Sequence, residues 1–261
     1  MVYNEPIVEV KGLSKRFGEQ IVLDDVSLTF PSKQITAILG KSGTGKSVLM
    51  KNIIGILEPD EGKIIIDGTD IVPLPEKQRR KYRQRLGYLF QDSALFDSMT
   101  VEENIAFPLV EVFHMRDSRK IRRIVQEKLE WVQLPGIEKK YPDELSGGMR
   151  KRVALARSLA GEPEILLFDE PTTGLDPVLE ENINNLIRRV NKELEMTCII
   201  ITHDIVGSFQ LANKIAFLDE GKIQVEGEPE DVADVAHPVL QKFLEYSFTA
   251  AHKTMDEMEL I

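Results

Sequence analysis

An α/β fold is predicted by three features of the sequence. Short β-type runs alternate with longer helical patterns, several of those runs are apolar throughout, and one long stretch between residues 92 and 142 carries no strand signal at all. Fully apolar runs are what strands of a parallel sheet look like when helices cover both faces, so the alternation reads as βα units. The strand-free stretch reads as helices inserted into that framework.

The elements can be justified in order. At the start, "IVEVKGLSKRF" and "IVLDDVSLTF" read as antiparallel strands. "QITAILG" is an apolar strand followed by a helix over about residues 46 to 57, and "KIIIDG" and "LGYLFQ" are further strands. In the strand-free stretch Ile121, Ile124, Val125, Leu129 and Val132 fall at helical spacing. Helices are expected at 147 to 160, 178 to 195 and 204 to 212, interleaved with the strands "EILLFDE", "CIIITHD" and "KIAFLDEGKIQVEGE". There is no internal repeat. The expected organisation is one domain over residues 1 to 245, with a helical subdomain at about 92 to 160, and a C-terminal extension or frayed tail over 246 to 261.

Composition bounds the function. The 261 residues suffice for a substantial core, and 42% apolar with 29% charged residues is a globular profile. A formal net charge of -10 argues against a general nucleic-acid binder, whose affinity rests on clustered Lys and Arg. The lone Cys198 cannot form an intramolecular disulfide and fits a reducing compartment. "MVYNEPIVEV" lacks a basic region followed by an apolar one, and nowhere do about eighteen uncharged apolar residues run together. The expectation is a chain that any membrane role would require a partner to hold in place.

"GKSGTGKS", residues 40 to 47, has the spacing G-x-x-x-x-G-K-[ST] between a strand and an apolar-periodic helix, which is the P-loop arrangement. Gly40, Gly43 and Gly45 permit a backbone path whose N–H groups point inward at phosphate oxygens, and the following helix offers its positive end to the same anion. Lys46 is suited to the β- and γ-phosphates and Ser47 to Mg²⁺. The expected nucleotide-binding set is Gly40, Lys41, Ser42, Gly43, Thr44, Gly45, Lys46, Ser47 and Val48, with ATP and Mg²⁺ as cofactors. "EILLFDE" ends in Asp169 and Glu170 at the carboxyl end of a buried strand, where open α/β sheets bind ligands. Asp169 suits the Mg²⁺ shell and Glu170 is placed to orient or activate a water. In "LSGGM" a serine and two bare glycine N–H groups, Ser146, Gly147 and Gly148, open a helix and form a second anion site.

Together "GKSGTGKS", "LSGGM", "ILLFDE", "GLD" and "ITHD" resemble the nucleotide-binding subunits of ABC transporters over roughly residues 6 to 245. The resemblance implies a P-loop NTPase core of the ABC ATPase type, with an N-terminal antiparallel β subdomain and an inserted α-helical subdomain. It implies a homodimer of head-to-tail copies in which each ATP lies between one copy's P-loop and the other's signature sequence. It also implies ATP hydrolysis, with Glu170, His203, Lys46 and Gln91 as the catalytic set. Phe17 of "KRFGEQ" matches the position of an aromatic that stacks on adenine, although Tyr is commoner there. Gln91 of "LFQD" matches a residue contacting Mg²⁺ or water, Asp176 of "GLDP" matches a loop that crosses the dimer interface, and His203 of "ITHD" matches the switch histidine near the γ-phosphate.

Within that family, Val48 after the P-loop, "GYLFQDSALFDSMTVEENIAFPL", "LSGGMRKRVALARSLA" and "HPVLQKFLEY" resemble the ATPases of Mla-type MCE systems, which move phospholipids or other lipids between membranes. The implied partners are integral-membrane permease subunits, an MCE-domain protein and a small regulatory subunit, with no nucleic acid. The implied location is peripheral, on the cytoplasmic face of the inner (plasma) membrane through the permease. ATPases of polar amino-acid and polyamine importers share the "ALF" and "MTV.EN" fragments and form the alternative. Soluble ABC ATPases outside transport are a third class, and the coiled-coil insertion or doubled unit usual for them is not visible. Leu95, Phe96, Met99, Ile105 and Phe107 are candidates either for a permease groove or for subdomain core. The basic run "EKQRRKYRQRLGY" is open between a solvated helix face, contact with anionic headgroups or permease loops, and nucleic acid.

Overall fold

The computed structural model describes residues 5–242 and 244–245, so the expectation for the segment 246 to 261 lies outside the described residues. In chain order come β1 (Pro6–Phe17), β2 (Gln20–Pro31), β3 (Ile35–Leu39), α1 (Lys46–Ile53), β4 (Glu61–Ile66) and β5 (Thr69–Asp70). Then follow α2 (Glu76–Arg83), β6 (Leu86–Leu89), α3 (Val101–Glu111), α4 (Ser118–Trp131), a 3-10 turn (Pro142–Glu144), α5 (Gly147–Leu159), β7 (Ile165–Asp169) and α6 (Pro177–Glu193). The last elements are β8 (Thr197–Thr202), α7 (Ile205–Leu211), β9 (Lys214–Asp219), β10 (Lys222–Gly227) and α8 (Pro229–Asp234). Two compact units result, one formed by the described residues up to Val72 with those from Ile199 on, the other by Pro73–Cys198.

In the first unit β2, β1, β4 and β5 form an antiparallel sheet in that order. Its register places Val8 opposite Phe30 and Ile66, and Val10 opposite Leu28 and Ile64. All six are buried, so a period-two pattern on three strands converges on one apolar face, and a one-residue slip would turn that face to solvent. A second set of strands runs β10, β9, β3, β8, with β3 and β9 parallel through Ala37–Ile215 and Leu39–Phe217. β9 and β10 form a hairpin whose turn residues Glu220 and Gly221 both have positive φ, 47° and 75°, the turn that matches the twist of paired strands. Ala37, Leu39, Ile205, Ile215, Phe217, Val232, Leu240 and Leu244 close a core that joins these strands to α7, α8 and the C-terminal segment.

In the second unit β6 and β7 pair in parallel, Leu86 with Ile165 and Leu89 with Phe168. Helices α3, α4 and α5 pack on one another. The stripe expected on α4 is the buried one: Val125, Leu129 and Val132 are fully buried, and Ile121 and Ile124 are partly so.

The helix expected over 46 to 57 is shorter. It ends at Ile53 because Gly55 turns left-handed at φ 71°, and the amides of Ile56 and Leu57 both return to the Lys51 carbonyl. β5, α2 and α8 left little hydrophobic signal in the sequence. α2 buries none of its residues, so no apolar stripe could announce it, and Glu76 instead pairs with Arg79 and Arg83 along its surface.

Candidate functional site

In the first unit the fully buried β3 delivers the chain into the glycine loop of residues 40 to 45, and α1 starts at Lys46. Gly40 is forced by crowding, since a Cβ there would lie 2.3 Å from the Leu218 carbonyl oxygen. Gly45 is forced twice: its φ is 106°, and a Cβ would meet Leu23 Cδ2 at 2.8 Å and the Val22 oxygen at 2.9 Å. Thr44 closes the loop on itself, its N–H and hydroxyl both donating to the Lys41 carbonyl, at 3.4 and 2.9 Å. The Lys46 ammonium is buried and donates to the carbonyls of Gly40 at 2.6 Å and Lys41 at 2.9 Å. A positive charge is thereby fixed at a helix N-terminus whose first-turn amides have no side-chain cap, an arrangement that attracts phosphate. Lys41, Ser42, Gly43 and Ser47 are exposed, while Thr44 and Val48 are half-buried. The same unit carries Phe17, 48% exposed at the end of β1 with Lys15 Nζ 5.7 Å from its ring centre, and His203, exposed just beyond β8.

In the second unit the buried strand β7 ends in Asp169, and the Tyr88 hydroxyl donates to Asp169 Oδ2 at 2.8 Å. Burial, and then that bond, push the Tyr88 phenol far above its ordinary value, so it keeps its proton and acts as a permanent donor that orients Asp169. Glu170 follows with a left-handed backbone, φ 49°, and its Oε2 accepts from the Thr173 hydroxyl at 3.1 Å. Ser146 caps α5 by accepting from the Met149 amide at 3.3 Å. Around the backbone of Gly147 there is open space, whereas a Cβ on Gly148 would press on Leu179 at 3.3 Å, so the two glycines serve approach and packing respectively. Asp176 caps α6 through Leu179 N at 3.0 Å, with Pro177 at the first helical position. Gln91, exposed beyond β6, joins Gly147 and the turn Thr173–Gly174–Leu175 around a cleft of about 450 Å³.

Several residues that shape this site were not singled out by the sequence. Lys151 is 7% exposed and donates to the carbonyls of Pro171 at 2.7 Å and Thr173 at 2.9 Å, behind the Asp169–Glu170 pair. Arg157 donates to the carbonyls of Ser93 at 2.8 Å and Ala94 at 2.7 Å, pinning two successive left-handed residues just after Gln91. Burial holds its guanidinium below the ordinary value. Asn104 is fully buried and ties the 96–100 turn, accepting from Phe96 N and donating to the carbonyls of Phe96, Met99 and Thr100. Each lies on a helix face otherwise apolar, which was the available signal.

Beside these elements lies a second, wider cleft of about 750 Å³, lined among others by Tyr88, Phe90, Phe96, Phe107, Phe113 and Arg157. Of the five residues considered as groove or core, Phe96 and Phe107 line it and pack against each other with tilted rings, their centres 4.6 Å apart. Ile105 is fully buried in the core, and Leu95 lines the smaller cleft instead.

A buried strand, a glycine loop closed on a lysine and an uncapped helix start define a P-loop nucleotide-binding fold of the α/β class. The profile of the family described as "ABC transporter" matches residues 23–173. Over 237 residues the chain is 45% identical to a probable ribonucleotide transport ATP-binding protein, mkl, of Mycobacterium tuberculosis, covering 91% of this chain and 66% of that protein. Over 229 residues it is 40% identical to the intermembrane phospholipid transport system ATP-binding protein MlaF of Haemophilus influenzae, covering 88% of this chain and 86% of that protein. It is also 40% identical over 251 residues to a sulfate/thiosulfate import ATP-binding protein, CysA, of Burkholderia mallei, covering 95% of this chain and 69% of that protein. Among solved structures, the dimeric post-hydrolysis state of the ATP-binding cassette MJ0796 bound to ADP and Pi aligns with a TM-score of 0.78 at 31% identity, covering 85% of this chain and 98% of that one. The chain belongs to the ABC transporter family. Its fold is that of an ABC ATPase, and it spans just under two thirds of the length of the Mycobacterium tuberculosis relative.

Proposed function

We propose that the chain is the ATP-hydrolysing motor subunit of an ABC transporter that moves lipids, phospholipids foremost, between membranes as part of an MCE-type complex. The observation that carries the ATPase part is the P-loop, where a Cβ at Gly40 would strike the Leu218 carbonyl oxygen and one at Gly45 would strike Leu23 and the Val22 oxygen, so only glycine keeps this loop path, and where the Lys46 ammonium is held on the loop carbonyls. These residues fit a triphosphate, and the Ser47 hydroxyl and Asp169 carboxylate are the hard oxygen donors that Mg²⁺ takes, with the Gln91 amide oxygen as a third. When bound, Mg²⁺ supplies neutralisation of phosphate charge.

On this reading the inward N–H groups of residues 40 to 47 and the Lys46 ammonium bind and orient the β- and γ-phosphates, while Phe17 stacks on the adenine. Glu170 holds the attacking water and accepts its proton, and His203 senses the γ-phosphate. Ser146, Gly147 and Gly148 of a second copy complete the oxyanion environment, and Asp176 lies along the dimer contact. Nearly all of the rate enhancement then comes from positioning and charge stabilisation. The likeness to a dimeric cassette supports the head-to-tail homodimer.

The lipid assignment is supported by the MlaF relative, which the chain covers for most of its length, together with Val48 after the P-loop and the phrases "LSGGMRKRVALARSLA" and "HPVLQKFLEY". Among the described residues no helix is long and apolar enough to cross a membrane. On the proposed reading a permease holds the subunit at the cytoplasmic face of the inner membrane, seated in the aromatic cleft of Phe96 and Phe107, with a small regulatory subunit as a further partner. A polar-solute importer, of the amino-acid or polyamine kind, is the second reading, and the relative described as a sulfate/thiosulfate importer favours an importer in general.

Mild detergent extraction with a tag on this subunit, followed by identification of what copurifies, tests the assignment. A permease with an MCE-domain protein is the expected result. A permease with a soluble solute-binding protein would favour the importer reading, and recovery only from the soluble fraction with no membrane partner would turn the assignment to the non-transport ABC ATPases.

A further inference from the structure

Lys151 is an unusual residue for a helix interior. It sits on the inner face of α5 in line with Gly148 and Leu155, both buried, and is itself 7% exposed. A buried ammonium must place its three N–H donors, and here they converge on one turn of backbone. The acceptors are Pro171 O at 2.7 Å, Thr173 O at 2.9 Å and, at 3.5 Å, the carbonyl of Glu170. Burial draws its pKa below the ordinary lysine value, and the surrounding carboxylates of Asp92, Glu170 and Glu180 act in the opposite direction, favouring the charge.

The turn it grips is the one that carries Glu170. That residue has φ 49°, a left-handed backbone that a non-glycine residue keeps only when its surroundings hold it there. Lys151 supplies the restraint at the backbone end. At the other end the Thr173 hydroxyl donates to Glu170 Oε2 at 3.1 Å, and the Thr173 amide donates to the Glu170 carbonyl at 3.3 Å. Thr173 is itself held by Lys151 through its carbonyl, so the three residues form a continuous chain from α5 to the carboxylate.

We propose that Lys151 is a positioning residue for hydrolysis: through the Pro171 and Thr173 carbonyls and the Thr173 hydroxyl it fixes the Glu170 carboxylate to α5. This inference rests on the reading of Glu170 as the group that activates water. The helix that carries Lys151 begins at Ser146, the second anion cradle, so a phosphate engaging that cradle pulls on the same rigid element that holds Glu170. One helix thus serves two ATP sites, presenting its N-terminus to the neighbour's nucleotide and its buried lysine to its own general base.

The test uses the full-length chain and compares Lys151→Met, Lys151→Arg, Thr173→Val and Glu170→Gln in steady-state ATPase kinetics. Nucleotide affinity is read separately with a fluorescent ATP analogue. Lys151→Met is expected to lower kcat at least tenfold while changing KM and nucleotide affinity less than threefold, because the P-loop is untouched. Lys151→Arg, which keeps charged donors for the same carbonyls, is expected to recover most of that loss, and Thr173→Val to show a smaller fall confined to kcat. Lys151→Met placed in Glu170→Gln should add no further loss, since both act on one step. If Lys151→Met does not fold, as judged by its melting curve, Thr173→Val and Lys151→Arg carry the decision: native kcat in Thr173→Val would overturn the proposal. Native kcat in a folded Lys151→Met, or a matched loss of kcat and nucleotide affinity, would overturn it as well. A Glu170→Gln variant that hydrolyses ATP at the native rate would instead sink the reading of Glu170 itself, which separates the two failures.

Discussion

At the scale of single residues, two buried groups make opposite demands on their surroundings. Lys46 is buried with its ammonium donating to the loop carbonyls of Gly40 and Lys41, and in the proposed site it is the group that a phosphate meets. Replacing Lys46 with Ala should lower ATP affinity at least tenfold, about 1.4 kcal/mol, without unfolding the chain. A fluorescence titration with unchanged affinity would remove Lys46 from the nucleotide site. Cys198 is buried completely inside β8, and burial raises its thiol well above the ordinary value, so at neutral pH it holds its proton and offers no thiolate. An Ellman-type thiol assay is expected to find it unreactive in the folded protein and fully reactive in denaturant. Rapid labelling of the native chain would contradict its buried placement.

The clearest case at the scale of an element is the start of α3. Thr100 caps the helix by accepting from Glu103 N at 3.3 Å, and Glu103 Oε2 accepts in return from Thr100 N at 2.7 Å, a complete capping box. The box anchors the segment that leads from Gln91 into the aromatic cleft. Thr100→Ala is expected to cost about 1 kcal/mol in a urea or thermal melt. The Glu103 carboxyl is held below its ordinary range, chiefly by the bond from the Thr100 backbone and then by the Thr100 hydroxyl. Because its folded pKa is depressed, its contribution is present above the unfolded value and fades as pH falls through the folded one. The stability difference between the native chain and Glu103→Ala should therefore be constant near neutrality and shrink in acid. A difference that grew as pH fell would have the wrong sign for this cap.

For the molecule as a whole, the proposed cycle requires two copies. Each copy presents a P-loop and, separately, the open helix start at Ser146 and Gly147, and neither alone encloses a nucleotide in the proposed arrangement. Glu170→Gln should bind ATP and fail to turn it over, so that the closed dimer accumulates. In size-exclusion chromatography with light scattering, this variant is expected to run as a dimer with ATP and Mg²⁺ and as a smaller species with ADP. A nucleotide-independent mass would argue against closure on ATP.

Much of this protein was legible along the chain. "GKSGTGKS", "LSGG" and "LLFDE" are local patterns: their glycines, cap serine and terminal carboxylates stand at fixed spacing within a few residues, so spacing reveals them, while the crowding of Gly40 by Leu218 and of Gly45 by Val22 and Leu23 is set by the fold. The apolar strands β3, β7 and β8 were readable for the same reason, because every residue in them is buried. Tertiary structure decided which of two apolar residues two positions apart goes to core and which to cleft, as with Ile105 and Phe107 on α3. It also decided what Lys151, Arg157 and Asn104 hold. Their partners are backbone carbonyls and amides, which every residue type carries alike, so the sequence shows at most a polar residue on an apolar helix face and not the turn it holds. A donor's sequence position says which face of a helix it is on, and only the folded chain says which turn lies opposite.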